Sequence, residues 1–302
     1  MIKSFTVINY LGESINIKLT DSEPDHGLLV KSMKGLGPAK ANINTTDLAT
    51  ADGSKYNSAR LDDRNIVIEF YFMATPTIED TRQRTYKYFP IKKPLTLVIE
   101  TDNRVVMTTG YVESNEPNIW SQNESNQISI VCPDPYFYSV FSNKTKLYSV
   151  KAEFEFPFEN EAGTESIELG AYLINEEYDI WYDGDAETGI DIYIKYTHDD
   201  VGDLTIFNTG TREQIIIKNE IIAQIVGSAP KKGDEIYIST VRGNKSIILV
   251  RNRTEYNIFN SIGRDADWFT LSKGDNYFAY TATSGTQYLL VEIDNKIVYE
   301  GV

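Results

Sequence analysis

The chain has 302 residues, 41% hydrophobic and 24% charged, with a net charge of −15. That apolar content is enough for packed cores in two domains of ordinary size and too high for a disordered chain. No apolar run approaches the roughly 18 residues needed to span a bilayer, no basic cluster suits specific nucleic-acid binding, and the single cysteine, Cys132, excludes an intramolecular disulfide.

The first residues, Met1-Ile2-Lys3-Ser4-Phe5, run straight into an alternating pattern. They lack the charged region, apolar core and cleavage site of a secretory signal, which argues against Sec export. Alternation then predicts strands over 5–10, 15–19, 28–33, 66–72, 95–100, 105–112 and 127–131. Between two of them, residues 35–64 are polar and rich in Gly, Asn and Asp, a long loop or extended arm. One helix is predicted over 77–88. Thr75-Pro76-Thr77 offers capping hydroxyls and a first-turn proline, Glu79 and Asp80 suit the positive end of the dipole, and Ile78, Thr85, Tyr88 and Phe89 share a face. Thr77 with Asp80 makes an imperfect capping box, and Pro90 and Pro94 stop the helix.

Val131-Cys132-Pro133-Asp134-Pro135-Tyr136-Phe137-Tyr138 closes the first half. The two prolines hold Cys132 and Asp134 extended, and the aromatics can anchor the exit from the strand. Cys132 reads as a small buried hydrophobe. Residues 144–158 form a crossover, with an alternating stretch at 151–158 that suits a linking strand. Beyond it the pattern is all strand: 190–196, 204–208, 214–218, 235–240, 246–250, 277–281, 288–293 and 296–299. Short strands at hairpin spacing, with no helix, point to an antiparallel sandwich.

Charge is unevenly placed. Residues 1–150 balance at −1, residues 151–203 at −14, and the remainder is neutral. The acidic block reads as a solvated face, with cation binding the sharper alternative.

Catalytic chemistry has little to work with. His26 and His198 both lie in turn-like polar stretches and read as surface residues, and two histidines without a cysteine cluster argue against zinc. Asp183-Gly184-Asp185-Ala186-Glu187 opens like a calcium loop, but Ile194 stands where the bidentate Glu would be. A looser calcium site from acidic loops stays open, as does an unplaced carboxylate pair. Trp120, Trp181 and Trp268 read as packing or interface residues before sugar platforms. No catalytic, cofactor-binding or metal-binding residue is assigned, and no cofactor is expected.

The strand exit at 131–138 resembles the end of the first domain in distal tail proteins of long-tailed phages of Gram-positive bacteria. A second motif, Trp268-Phe269-Thr270-Leu271-Ser272-Lys273-Gly274-Asp275-Asn276, is similar to a segment of the C-terminal domain of such siphophage tail components. Gly233-Asp234-Glu235-Ile236-Tyr237-Ile238-Ser239-Thr240 and the closing Tyr299-Glu300-Gly301-Val302 also resemble that domain. The resemblance implies a mainly β fold of two sandwich-like domains. The first, 1–145, would form a ring and carry one helix and a projecting arm or hairpin. The second, 146–302, would be galectin-like and peripheral. It further implies a structural, non-enzymatic protein of the virion tail tip, made and assembled in the host cytoplasm. Its ring, usually a homohexamer, would join tail tube and tape measure to the tail-tip hub and receptor-binding proteins. A glycan-binding, lectin-like module is the alternative.

Overall fold

In the computed structural model the chain forms two compact units, Met1–Phe141 with Val298–Val302, and Ser142–Ile297. The structure describes residues 1–19, 24–48, 52–120, 124–152, 170–173, 177–263 and 266–302.

The first unit contains the strands Ile2–Ile8 (β1), Ser14–Lys18 (β2), Leu28–Lys34 (β3), Ala41–Asp47 (β4), Ser54–Leu61 (β5) and Arg64–Phe72 (β6). The helix Ile78–Tyr88 (α1) follows, then Pro94–Thr101 (β7), Val105–Asn118 (β8), Ser125–Cys132 (β9) and Phe137–Ser139 (β10). One antiparallel sheet runs β2-β1-β7-β8-β9-β6-β3, with β10 attached to β8 and the short strand Val298–Tyr299 attached to β10. The period of two is plain in β6: Arg64, Ile66, Ile68, Phe70 and Phe72 are buried while Asn65 and Tyr71 are exposed. Phe70 lies at the centre of the core, 6.3 Å from Phe5 and 5.9 Å from Phe89 between ring centroids.

Helix α1 forms where expected, and Thr77 Oγ1 accepts the Asp80 N–H at 3.1 Å. Its inner face keeps the predicted Thr85, Tyr88 and Phe89 but not Ile78, and adds Thr81. Ile78 is exposed, Pro76 precedes the cap, and the buried helical positions are Thr81 and Thr85. The reason is steric. A Cβ on Gly27 would lie 2.3 Å from Thr81 Oγ1, so the contact admits only short side chains. Thr81 Oγ1 donates to Met73 O at 2.7 Å, and Asn126 Nδ2 donates to Thr85 Oγ1 at 3.3 Å, so both hydroxyls are satisfied.

The second unit opens with Asn143–Lys146 (β11), Ser149–Ala152 (β12), Gly170–Leu173 (β13), Tyr178–Tyr182 (β14), Thr188–Gly189 (β15) and Asp191–Tyr196 (β16). Leu204–Asn208 (β17), Gln214–Ile217 (β18), the helix Asn219–Val226 (α2), Glu235–Ser239 (β19), Ser246–Arg251 (β20) and Thr254–Asn257 (β21) follow. Thr270–Leu271 (β22), Gly274–Ala282 (β23) and Leu289–Asn295 (β24) complete it. A six-stranded sheet, β11-β24-β16-β19-β20-β21, and a four-stranded sheet, β14-β23-β17-β18, share one core. Ile192, Ile236, Leu249 and Val291 enter it from the first sheet, and Ile180, Leu204, Ile206 and Phe278 from the second. This is sandwich packing.

Three details differ from the sequence pattern. Helix α2 occupies a half read as helix-free. Its Ile-rich run, with β-branched side chains at 221, 222, 225 and 226, favours strand by propensity. Local capping decides otherwise: Asp203 Oδ1 accepts the Asn219 N–H at 2.8 Å, Asn219 Nδ2 donates to Val201 O at 2.8 Å, and Gly227 closes the helix. Of the pattern at 296–299, only Val298–Tyr299 is strand, and it lies in the first unit. Of the linking strand at 151–158, residues 151–152 belong to β12, which pairs with β13, and 153–158 lie outside the described residues.

The motifs at 233–240 and 268–276 are closure devices. Asn276 is buried and uses its whole amide: Oδ1 accepts the Ser272 N–H at 3.0 Å, and Nδ2 donates to Ser272 O at 2.8 Å and Gly274 O at 3.0 Å. Gly274 supplies the φ of +103° that this turn needs. Phe269 meets Phe278 edge to face at 5.5 Å. Asp234, 3% exposed, accepts from Arg251 Nε at 3.0 Å and Nη2 at 2.5 Å, and caps the Lys231 N–H at 2.8 Å. The bond to Asp234 holds the Arg251 pKa above its ordinary value. Asp234→Ala leaves that guanidinium, still bonded to Ser228 Oγ and Ala229 O, largely buried without its carboxylate, and is expected to lower stability by about 3–5 kcal/mol. The measurement is the urea midpoint of the full chain. A midpoint unchanged in the variant would show that the pair contributes nothing.

Candidate assembly site

The alternation of β6 puts the Arg64 side chain on the buried face, 2% exposed, at the root of the 35–64 segment. Among the described residues no carboxylate forms an ion pair with it. Four backbone carbonyls do the work instead. Nε donates to Pro135 O at 2.7 Å, Nη1 to Gly35 O at 2.7 Å and to Gly37 O, and Nη2 to Glu300 O at 2.6 Å. The guanidinium carbon sits 4.2 Å from the Phe137 ring centroid. A desolvated cation over a ring face is favourable, and the planar fork suits several acceptors at once. Burial pulls the Arg64 pKa down from its ordinary value.

Three stretches of chain therefore meet at one side chain. The first is the arm root, where Gly35 has φ +84° and an added Cβ would lie 2.0 Å from Asn65 O. The second is the strand exit at 133–138. Its Asp134 accepts the Tyr136 N–H at 3.1 Å and the Tyr138 hydroxyl at 2.5 Å, which fixes the turn that presents Pro135 O. The third is the segment 298–302, where Val302 N donates to Leu36 O at 3.0 Å. A Cβ on Gly301 would lie 3.3 Å from Leu36 O, so this segment runs tight against the root.

From this root the arm projects as the two-stranded sheet β4–β5. Every residue of β4 and all of β5 but Leu61 is exposed. The register pairs Ala41 with Leu61, Ile43 with Ala59 and Thr45 with Tyr56, so these share one face. The other face carries Asn42 with Arg60, Asn44 with Ser58 and Thr46 with Lys55. Asn57, the extra residue at the bulge, lies with the polar face and donates to Thr46 Oγ1 at 2.7 Å. The arm is thus amphipathic and has no core. Ile43 is 59% and Tyr56 62% exposed. An isolated hairpin is marginal in water, and an apolar stripe on open strands invites a partner.

The other sequence candidates are structural. His26 Nδ1 accepts the Leu28 N–H at 3.1 Å in a turn of the first unit. His198, in the second unit, accepts the Asp200 N–H at 3.3 Å and stacks on Tyr288 with centroids 4.5 Å apart. Cys132 is buried, and burial raises its thiol pKa. In the 183–187 loop, Tyr182 Oη donates to Ala186 O at 2.8 Å and Asp183 lies 3.9 Å from Lys273 Nζ. Among the described residues no three His, Cys, Asp or Glu side chains are grouped to hold a metal ion. Trp268 stacks on Phe259, at 5.4 Å between centroids, and Lys245 Nζ lies over its ring at 4.8 Å, whereas Trp120 and Trp181 are exposed. Much of the acidic block, from Glu153 to Glu168 and at Glu176, lies outside the described residues.

No protein-family model matches the sequence. No curated protein matches it either. Solved structures do. The crystal structure of the SPP1 Dit protein, described as a paradigm of the hub adsorption apparatus in phages infecting Gram-positive bacteria, superimposes with a TM-score of 0.65 at 13% identity. The match covers 98% of this chain and 100% of that one. The chain has the fold of SPP1 Dit. A chain of the phage P2 baseplate in its activated conformation with Ca matches with a TM-score of 0.49 at 12% identity, over the whole of both chains. The mainly β, sandwich-like fold that the phage-tail resemblance implied is the one observed.

Sequence reasoning did not single out Arg64. The available signal was its place at the head of an inward-facing alternation, Arg64-x-Ile66-x-Ile68-x-Phe70. Arg64→Lys is expected to fail as a replacement, because one ammonium cannot span four carbonyls. Each stranded acceptor costs about 1–3 kcal/mol. Amide exchange at Val302, bonded to Leu36 O, should rise in the variant, and unchanged protection there would contradict this role.

Proposed function

We propose that this chain is a distal tail protein of a long-tailed phage of Gram-positive bacteria, an architectural component of the tail tip. In this reading the first unit, Met1–Phe141 with Val298–Val302, self-associates into a closed homohexameric ring, and the second, Ser142–Ile297, forms a galectin-like sandwich at its periphery. The ring joins the tail tube and tape measure proteins to the tail-tip hub and to receptor-binding proteins. The chain acts as a scaffold and not as an enzyme.

The observation that carries self-association is the coreless amphipathic arm on a fold shared with SPP1 Dit. Its apolar stripe meets a neighbouring copy, and a heterologous contact of fixed rotation closes into a ring. Charge supports the same division. Residues 1–150 balance at −1, so copies approach without strong repulsion, whereas 151–203 carry −14. The acidic block belongs outside the ring, where salt screens it beyond about 10 Å.

Electron microscopy of intact tails tests this reading. A ring of this chain at the tube's distal end is expected, and isolated copies or copies along the tube would refute it. The double variant Ile43→Asp with Tyr56→Asp should keep the wild-type melting temperature, since both residues are exposed, yet fall at least about tenfold in incorporation into tails, equivalent to about 1.4 kcal/mol. Normal incorporation would remove the arm from the interface.

A further inference from the structure

The four-stranded sheet of the second unit buries one face in the core and leaves the other open. Its register carries an apolar line across the open face. Trp181 on β14 lies opposite Asp275 on β23, and Tyr277 stands two residues beyond Asp275. Ala279, two further on, lies opposite Phe207 on β17. Thr205, two residues before Phe207, lies opposite Ile216 on β18. Trp181, Tyr277, Phe207 and Ile216 thus form a diagonal, each one strand over and two residues along from the last. Their sequence neighbours Ile180, Phe278, Ile206 and Ile217 belong to the core, so the line faces outward. Diagonal neighbours are about 7–8 Å apart, which makes the line roughly 20–24 Å long.

The Trp181 end is acidic. Trp181 with Asp275 and Asp179 with Tyr277 are successive outward-facing pairs of β14 and β23. The aromatics take one diagonal of this square and the carboxylates the other, so one carboxylate stands on each side of the apolar line. Glu177 accepts the Thr209 hydroxyl and Asp183 lies 3.9 Å from Lys273 Nζ, whereas Asp179 and Asp275 have no ion pair among the described residues. Asp275, Asp179 and Glu177 together raise the Tyr277 phenol pKa.

We propose that this face docks a basic amphipathic helix of a partner protein, its apolar stripe along Trp181, Tyr277, Phe207 and Ile216 and its Lys or Arg side chains on Asp179 and Asp275. The proposal goes beyond the assembly reading and does not rest on it.

Exposure marks the face as a contact surface. Trp181 is 64% and Tyr277 37% exposed, and large aromatics of this kind anchor interfaces. Charge selects the partner's sign. An acidic surface would be repelled by Asp179 and Asp275, and a purely apolar one would strip both carboxylates of water without a counter-charge. A cation pairs with them and also gains from the ring faces of Trp181 and Tyr277. Backbone chemistry selects the helix. The sheet spends its own hydrogen bonds in its plane, so an extended segment laid on the face would bury unpaired N–H and C=O groups. A helix satisfies its backbone internally, and about 14–16 residues at 1.5 Å each cover the line. Its apolar stripe flanked by polar positions on both sides matches an apolar line with a carboxylate on either side.

The test uses the full chain and two blocked helical peptides, a doubled Leu-Lys-Lys-Leu-Leu-Lys-Leu heptad and the same sequence with Glu for Lys. Titration calorimetry is expected to show the Lys peptide binding with a Kd on the order of 10 μM, and no binding of the Glu peptide. Trp181→Ala and, separately, Asp179→Asn with Asp275→Asn should each weaken binding roughly tenfold. Asp191→Asn with Glu255→Gln removes the same charge from the six-stranded sheet and should leave binding unchanged. All these positions are exposed, and circular dichroism checks that each variant is folded. Absence of binding by the Lys peptide would overturn the proposal. So would binding that survives Trp181→Ala or the Asp179 and Asp275 pair, or that falls equally with the six-stranded-sheet pair. Self-association of the chain that disappears with Trp181→Ala would assign the face to a second copy and overturn it too.

Discussion

A guanidinium has five N–H donors in one plane and no acceptor. Placed in a protein interior without a carboxylate, it must be surrounded by carbonyls, and carbonyls come attached to backbone. At Arg64 those carbonyls belong to Gly35, Gly37, Pro135 and Glu300. Satisfying one side chain therefore fixes the positions of three stretches that are remote in sequence. Much of the first unit's detail follows from this. Gly35 is needed because the root must turn with positive φ against Asn65 O. The two prolines and Asp134 shape a turn whose carbonyl faces inward. Phe137 supplies the ring beneath the cation.

Such a cluster is costly to assemble and hard to exchange. An apolar replacement at 64 would leave carbonyls stranded, and a lysine would satisfy too few of them. The same logic recurs in the second unit at smaller scale. Asn276 closes a turn with every group of its amide, and Asp234 gathers Arg251 and the Lys231 N–H. The segments that resemble phage tail proteins are thus places where one polar side chain holds several backbone groups. They determine how the chain is closed.

Strands with one face in a core were legible in the sequence because burial imposes a period of two. In β6, β7 and β16 the buried positions alternate, each with an apolar side chain save Arg64. Helix α1 was legible from its cap and from Thr85, Tyr88 and Phe89 on its inner face, but Thr81 was not, because close approach at Gly27 selects a threonine where amphipathicity would select Ile78. Helix α2 was hidden by a β-branched run whose conformation is set by Asp203, a residue sixteen positions away. The arm was visible only as a polar stretch. Its two faces appear once the register is known, since the bulge at Asn57 shifts the alternation partway along.

The Arg64 cluster also bears on why an exposed apolar arm is tolerable. A flexible hairpin would lose much conformational entropy on docking, and that loss would offset the burial of a few side chains such as Ile43 and Tyr56. An arm whose root is held by carbonyls on both sides of the guanidinium loses less, because its direction is set before any partner arrives. The polar face with Arg60 and Lys55 opposes indiscriminate edge pairing, and the bulge breaks the regular ladder that another strand would need. In the proposed assembly a fixed root would serve two ends. It would raise the affinity obtainable from a small apolar stripe, and it would restrict that stripe to partners presented at one angle, which is the geometric condition for a contact that repeats around a closed ring.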